Sequence, residues 1–507
     1  MPRQLSVKNR AAKQNSVPGR LLSGADAAFL YLERPEIPLH IACVSIFESE
    51  IPFEEFIASI DSKLHLIPRY RQIAVAPPFD IGYPTWEWYP QFDIRQHVFR
   101  VRLEPPGSEA QLEALAGRIL TQVMDRSRPL WDIHVVEGLK GGRGALIPRV
   151  HHALADGVSG AALLKIILDP TPDGSRAIRK PRFRPPKPNP ADRSLAGALT
   201  NAFRSTVENL LASEACLLNM AQGLFAGRMQ GSLEGLMELL PELAASVERL
   251  PFNKPCTGER RFCWTEFSFG EVQIIKRALG TTVNDVFLSV LGRAIARYVR
   301  LHGEPVAGRF VRVVCPFSLR SDDQRESLGN QISFFPVALP LDIEDPIAML
   351  KAVAKRTQIM KSAGAAQLLS LTAAWLGSAP PPLQALFWRT IPSLPLPVPL
   401  LNIICTNVPG SPTPLYSVGK RMLASYPQVP TGHELGIGCA AQTYDGKVFF
   451  GLTADSHAAP DFKRMRDFIH ASFSELCRAT GLRKKKKSRP VDPSRPGPSS
   501  SIRAAVA

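Results

Sequence analysis

Two periodicities alternate along this chain, and the switches between them predict its elements. Ala145-Leu146-Ile147-Pro148-Arg149-Val150 is a short apolar run of strand type, and Val158–Leu168 carries an apolar face at helical spacing. From about Ser194 to Leu250, residues such as Leu210, Leu211, Leu217, Leu218, Met220 and Leu224 recur at helical spacing, so this stretch is expected to be almost wholly helical. Thr281-Thr282-Val283-Asn284-Asp285 supplies capping residues ahead of a helix whose apolar face is Val286, Phe287, Val290, Leu291, Ala294, Ile295 and Tyr298. Phe310–Ser318, Gln331–Leu339 and Leu401–Thr406 read as strands. Leu435–Thr443 and Lys447–Thr453 flank the turn Tyr444-Asp445-Gly446 and read as a hairpin.

These elements group into two α/β regions, residues 21–168 and 251–480. A proline-rich, charged linker (residues 169–194) and a helical connector (residues 195–250) join them. Seven prolines between Pro170 and Pro190 make the linker stiff and solvated. Residues 1–20 and 481–507 are expected to be disordered on composition. At 507 residues the chain has ample length for two domains or one bilobed unit.

The net charge of +16 suggests a nucleic-acid or membrane partner until it is located. Excesses of five, four and seven positive charges in residues 1–20, 169–194 and 481–507 account for all of it. The globular remainder is therefore neutral, which argues against a basic nucleic-acid face and leaves three basic segments. Eight scattered cysteines without a pairing pattern, and an N-terminus with no apolar leader, lead to the expectation of a reducing, cytoplasmic compartment. The longest uncharged stretches, Ser362–Trp388 and Thr390–Gly419, do not read as membrane spans, since both are broken by prolines.

The chemistry concentrates in His151-His152-Ala153-Leu154-Ala155-Asp156-Gly157, at the turn between the predicted strand and helix. Imidazole is the side chain suited to proton abstraction near neutral pH. The carboxylate of Asp156 can lock local geometry, and Gly157 leaves room for backbone or ligand to come close. A metal site is the weaker reading. Successive residues of an extended segment face opposite ways, and no Cys-x-x-Cys or His-Glu-x-x-His supplies further ligands. A satisfied structural turn is the third reading.

Beyond this motif the chain resembles the bacterial wax ester synthase/diacylglycerol acyltransferase family. The resemblance rests on Leu22-Ser23-Gly24-Ala25-Asp26-Ala27-Ala28-Phe29-Leu30-Tyr31-Leu32 and Pro38-Leu39-His40-Ile41, then Pro129-Leu130-Trp131, Glu137-Gly138-Leu139 and Val283-Asn284-Asp285-Val286. It continues through Pro316–Arg320, Leu328-Gly329-Asn330, Thr406-Asn407-Val408-Pro409-Gly410, Tyr444–Lys447 and Ala454-Asp455, and so covers roughly residues 20–480. Two positions depart from the pattern. Pro148 interrupts its strand, which must then lie at a sheet edge or be locally irregular, and Thr443 stands where serine is commoner.

The resemblance implies two chloramphenicol acetyltransferase-like α/β domains with mixed sheets flanked by helices, and a substrate channel between them. It implies an acyl-CoA-dependent O-acyltransferase with acyl-CoA as co-substrate, no further cofactor and no metal. The acceptor would be diacylglycerol or a long-chain alcohol. His152 would be the base, and His151 a mainly structural neighbour. Asp156 would either orient the imidazole or hold the loop through an arginine. Asn284 is a candidate polar contact, or else a helix cap. The apolar region Ala363–Leu401 would wall the acyl channel, touch a membrane or lipid-droplet surface, or form ordinary core. Peripheral association with the inner membrane or lipid inclusions is the expected location. A condensation-type enzyme, a short-chain CoA acyltransferase and a non-catalytic lipid-binding protein are the alternatives.

Overall fold

The computed structural model describes residues 21–154, 167–174, 194–225, 247–318, 332–362, 379–393 and 401–482, together with 237–238, 241 and 399. The chain first forms α1 (Gly24–Leu32), β1 (His40–Phe47) and α2 (Phe53–Lys63), then β2 (Gln72–Val75), β3 (Thr85–Trp88) and β4 (Val98–Arg102). It continues through α3 (Glu109–Thr121), β5 (Trp131–Leu139), β6 (Arg143–His151) and the long helix α4 (Leu195–Phe225). The second region holds β7 (Arg260–Ser268), α5 (Phe269–Leu279), α6 (Val283–Leu301), β8 (Phe310–Ser318), β9 (Ile332–Pro340), α7 (Pro346–Ser362) and α8 (Pro381–Thr390). It closes with β10 (Ile403–Val408), β11 (Tyr416–Ser417), β12 (Lys420–Gln428), β13 (Ile437–Tyr444), β14 (Lys447–Asp455) and α9 (Lys463–Ala479).

Two six-stranded mixed sheets carry the fold, in the orders β11-β12-β1-β6-β5-β4 and β7-β14-β13-β10-β8-β9, beside a small β2-β3 hairpin. The first sheet does not respect the division expected from the sequence. Its β11 and β12 come from residues 416–428, and β12 pairs antiparallel with β1, Ala42 opposite Gln428. The second region thus lends strands to the first. β12 also lies against the second sheet, where Tyr426 stacks on Trp264 with ring centroids 4.8 Å apart. Gly451 has no side chain because a Cβ there would meet the Pro427 carbonyl at 1.8 Å.

Pro148 corrects one expectation. Its strand β6 is not at an edge but sits between β1 and β5. The irregularity is there, however. The β1–β6 register runs from Ala42 opposite Arg149 to Ser45 opposite Leu146 and lapses between them, where Pro148 has no N–H to give. The β5 side keeps Ile133 opposite Pro148.

The expected strands and the hairpin around Asp445 are present with ends moved by a few residues. The helical connector is helical from Leu195 to Phe225 and is no longer helical at 247–250. The helix expected from Val158, most of the linker, the Leu319–Gln331 stretch and both basic termini lie outside the described residues.

Candidate active site

The site begins with α1 and the loop after it. Ser23 caps α1 by accepting the Asp26 N–H at 3.1 Å, and the buried Ala27, Leu30 and Tyr31 seat the helix on the core. Arg126 closes the other end, donating to the Leu30 carbonyl at 2.6 Å and to Glu33 Oε2 at 3.1 Å. The next turn of chain delivers Leu39 and His40 to β1, directly beside the end of β6.

Two segments then hold the paired histidines by their backbones. The His151 N–H donates to the Leu130 carbonyl at 3.0 Å, and the His152 N–H donates to the Leu39 carbonyl at 2.9 Å. Pro129-Leu130-Trp131 is itself locked by packing: Trp131 is buried, stacks on Tyr70 and donates from Nε1 to the Tyr70 carbonyl at 2.8 Å.

The two side chains have different surroundings. His151 is fully buried, with Nδ1 accepting the Ala153 N–H at 3.0 Å. An acceptor Nδ1 leaves the ring proton on Nε2, which lies 3.2 Å from Glu33 Oε1. Glu33 is equally buried, and its Oε1 also accepts the Leu39 N–H at 3.1 Å. Burial opposes ionisation of Glu33, but His151, the Leu39 amide and Arg126 outweigh it and hold the carboxyl below its ordinary range. His40, across the strand pair from His151, is buried too; desolvation, with Arg149, His151 and Arg260 nearby, pushes its pKa well down. His152 is half-buried instead, and its ring stacks on Phe29 with centroids 4.0 Å apart and planes 13° from parallel.

Glu33 thus braces His151, His151 and Leu39 brace the turn, and Phe29 sets the plane of the His152 ring. A half-buried imidazole held at main chain and ring face is equipped to take a proton from a substrate hydroxyl.

The remaining expected residues are placed as follows. Asp156 and Gly157 lie outside the described residues. Arg149, the arginine two residues before the histidines, is occupied elsewhere: it grips Asp132 through two nitrogens at 2.9 and 2.5 Å and donates to the Ile119 and Gln122 carbonyls. Asn284 is the second residue of α6, in the other half of the molecule, and the structure records no hydrogen bond from it to either histidine among the described residues. It is not the helix cap. Thr282 is, in a reciprocal pair with Asp285 at 3.2 and 2.7 Å. Asp285 is buried and also receives the Thr357 hydroxyl at 2.6 Å.

Thr406–Val408 end β10, and the chain then brings Gly410 into close approach to β13. A Cβ on Gly410 would meet the Thr443 carbonyl at 1.9 Å, while the Thr443 hydroxyl accepts the Gly410 N–H at 3.2 Å. The threonine that departs from the family pattern therefore does a structural task. Glu33 and Arg126 were not singled out in the sequence. A single acidic residue after a helix carries no spacing signal, and only its burial against His151 marks it.

The wax ester synthase/diacylglycerol acyltransferase catalytic-domain model matches residues 22–287, and the C-terminal-domain model matches residues 328–477. The chain belongs to this family. It is 30% identical over 481 residues to the probable diacylglycerol O-acyltransferase tgs2 of Mycobacterium tuberculosis, across 91% of this chain and all of that protein. The solved wax ester synthase/diacylglycerol acyltransferase of Marinobacter aquaeolei VT8 superposes with a TM-score of 0.61 at 22% identity, covering 91% of this chain and 100% of that one. The starter condensation domain of rhizomide synthetase, solved with C8-CoA, shares the fold more distantly, with a TM-score of 0.55 at 14% identity over 91% of this chain and 96% of that one, and in the form that also holds Leu-SNAC with a TM-score of 0.56 at 14% identity over 91% and 95%. The expected α/β fold of two acetyltransferase-like halves with mixed sheets is the fold observed.

Proposed function

We propose that this member of the family transfers the acyl group of a long-chain acyl-CoA to the hydroxyl of diacylglycerol or a long-chain alcohol, with His152 as the general base. The observation that carries the reading is the contrast between the two histidines. His151 is buried and committed to Glu33, whereas His152 is only half-buried, with its backbone pinned to Leu39 and its ring laid on Phe29.

In the proposed step the acceptor oxygen attacks the thioester carbonyl carbon as His152 takes the hydroxyl proton. The carbon–sulfur bond of the tetrahedral species then breaks, and the same proton passes to the departing thiolate. The products are an ester and free coenzyme A, with no covalent enzyme intermediate and no cofactor beyond the co-substrate. General-base assistance supplies roughly 10²–10⁴-fold, so positioning and oxyanion stabilisation provide the rest. Asn284 is the polar group we assign to substrate contact, because the capping task at its helix is already filled by Thr282.

Water-insoluble acceptors call for work at a lipid surface. No helix among the described residues is long and apolar enough to cross a membrane. The reading is therefore of a protein that meets the inner membrane or lipid inclusions peripherally. A condensation-type reaction would take its acyl group from a carrier protein instead. Family membership and the tgs2 relative favour an O-acyltransferase with a diacylglycerol or alcohol acceptor over such a condensation. Purified protein incubated with palmitoyl-CoA, and with diacylglycerol or hexadecanol in separate reactions, should release coenzyme A and form triacylglycerol or wax ester. Absence of both esters would overturn the reading.

A further inference from the structure

Helix α4 is inside out. Over residues 195–211 its buried positions are small, Ala198 at 1% and Ser205 at 5% exposed. The large apolar residues Leu195, Leu199, Phe203, Val207, Leu210 and Leu211 are all exposed, Phe203 at 74%. At 100° per residue these six fall within one stripe, roughly opposite Ala198 and Ser205. A helix serving only its own fold would present that stripe to the core.

Two elements packed beside α4 also expose large apolar residues. Phe79, at the tip beyond β2, is 87% exposed in a left-handed conformation (φ 54), and Asp80 beside it is also left-handed (φ 53). An exposed aromatic ring held in a disfavoured backbone region is strain that the core does not require. Arg389 of α8 clamps the tip through Asp80 at 2.6 Å, and α8 itself turns Leu383, Leu386 and Phe387 outward. Between the tip and α4 opens a cavity of about 360 Å³, lined by Pro77, Pro78, Tyr83 and Ala198 among others. On its inner side α8 packs on α1, the helix whose Phe29 stacks on His152.

Charge complementarity selects the occupant. The sequence leading into Leu195, residues 175–193, holds seven basic residues and one acidic residue. An apolar stripe preceded in sequence by a strongly basic segment is the composition that binds anionic bilayers, where acyl-chain burial and headgroup attraction act together.

We propose that α4, α8 and the Phe79 tip form the face that docks on an anionic lipid bilayer, and that this face, not the C-terminal basic tail, holds the protein at the surface supplying its acceptor. The proposal rests on the lipid-acceptor reading above and names the surface that serves it.

The test floats three full-length or near-full-length proteins on vesicles of equimolar phosphatidylglycerol and phosphatidylcholine at low ionic strength. They are the wild type, a chain ending at Gly481, and the variant Phe79→Ser/Leu199→Ser/Phe203→Ser/Leu386→Ser. All four substituted side chains are exposed, so melting temperatures should match. The wild type and the shortened chain should float. The quadruple variant should bind at least roughly tenfold less, as expected from losing four apolar anchors. Equal flotation of the quadruple variant overturns the proposal, as does failure of the wild type to float, which would assign the face to a protein partner instead. Transfer from palmitoyl-CoA to detergent-dispersed hexadecanol, measured on the same preparations, separates the two readings: a wild type that is active but does not float sinks the docking face and leaves acyl transfer standing, whereas a quadruple variant that is active but does not float supports it.

Discussion

At the scale of single residues, the pair His151–His152 divides its labour through burial. Glu33 is the group that enforces the division, and it makes a prediction separate from the motif. Glu33→Ala removes a buried carboxylate from between His151 and Arg126, which should cost about 3 kcal/mol or more of stability. Glu33→Gln keeps the volume and should recover much of the melting temperature, yet still lower kcat with the KM for palmitoyl-CoA little changed. A Glu33→Gln enzyme with full kcat would show that the brace is only structural. Asp156 carries its own test. If it holds the loop through an ion pair, Asp156→Asn should lower melting temperature and turnover together. Lost turnover at an unchanged melting temperature would make it an orienter of His152.

At the scale of elements, the loop carrying Glu33 and Leu39 is pinned from the other half of the molecule. Asp455, at the end of β14, accepts the Thr257 and Gly258 N–H groups at 2.9 Å each and Arg260 at 2.8 Å. Arg260 in turn donates to the Glu36 carbonyl at 2.8 Å. Asp455→Asn should therefore lower stability by about 3–5 kcal/mol, since it leaves Arg260 buried without its counter-charge. Chemical denaturation checks the figure, and an unchanged midpoint would remove this anchor from the account. Legibility in the sequence followed the range of the interactions. β8, the β13–β14 hairpin and α6 could be read because their periodicity and turn residues are local. The pairing of Ala42 with Gln428 could not, because nothing near either residue encodes a partner almost four hundred positions away. Pro148 misled by half: a missing N–H disturbs one ladder, but the strand is kept central by its other neighbour. The histidine motif was legible as chemistry, whereas Glu33 became visible only once folding had buried it.

At the scale of the whole molecule, two sheets packed together through β12 make one body, and its stability should depend on pH in a defined direction. Burial lowers the pKa of His40, and burial likewise lowers those of His97 and His134. The unfolded chain therefore binds protons on these rings that the folded chain refuses, so stability rises with pH. The contribution is complete above the unfolded histidine pKa of about 6.5 and is lost as pH falls below it toward the depressed folded values. Glu33, also held below its ordinary value, adds a second loss only at lower pH, beneath the usual carboxylate range near about 4.3. The melting temperature should thus decline between about pH 6.5 and 5, and His40→Gln should flatten that decline. A slope identical to that of the wild type would contradict the assignment of His40 as a buried neutral ring.

The central claim is that His152 moves the proton. Steady-state transfer from palmitoyl-CoA, with diacylglycerol or hexadecanol as acceptor, should be compared for wild type, His152→Ala and His151→Ala at matched folded fraction. The account predicts that His152→Ala keeps its melting temperature and loses at least about a hundredfold in kcat/KM. His151→Ala should lose less. A well-folded His152→Ala protein with near-normal turnover would contradict it.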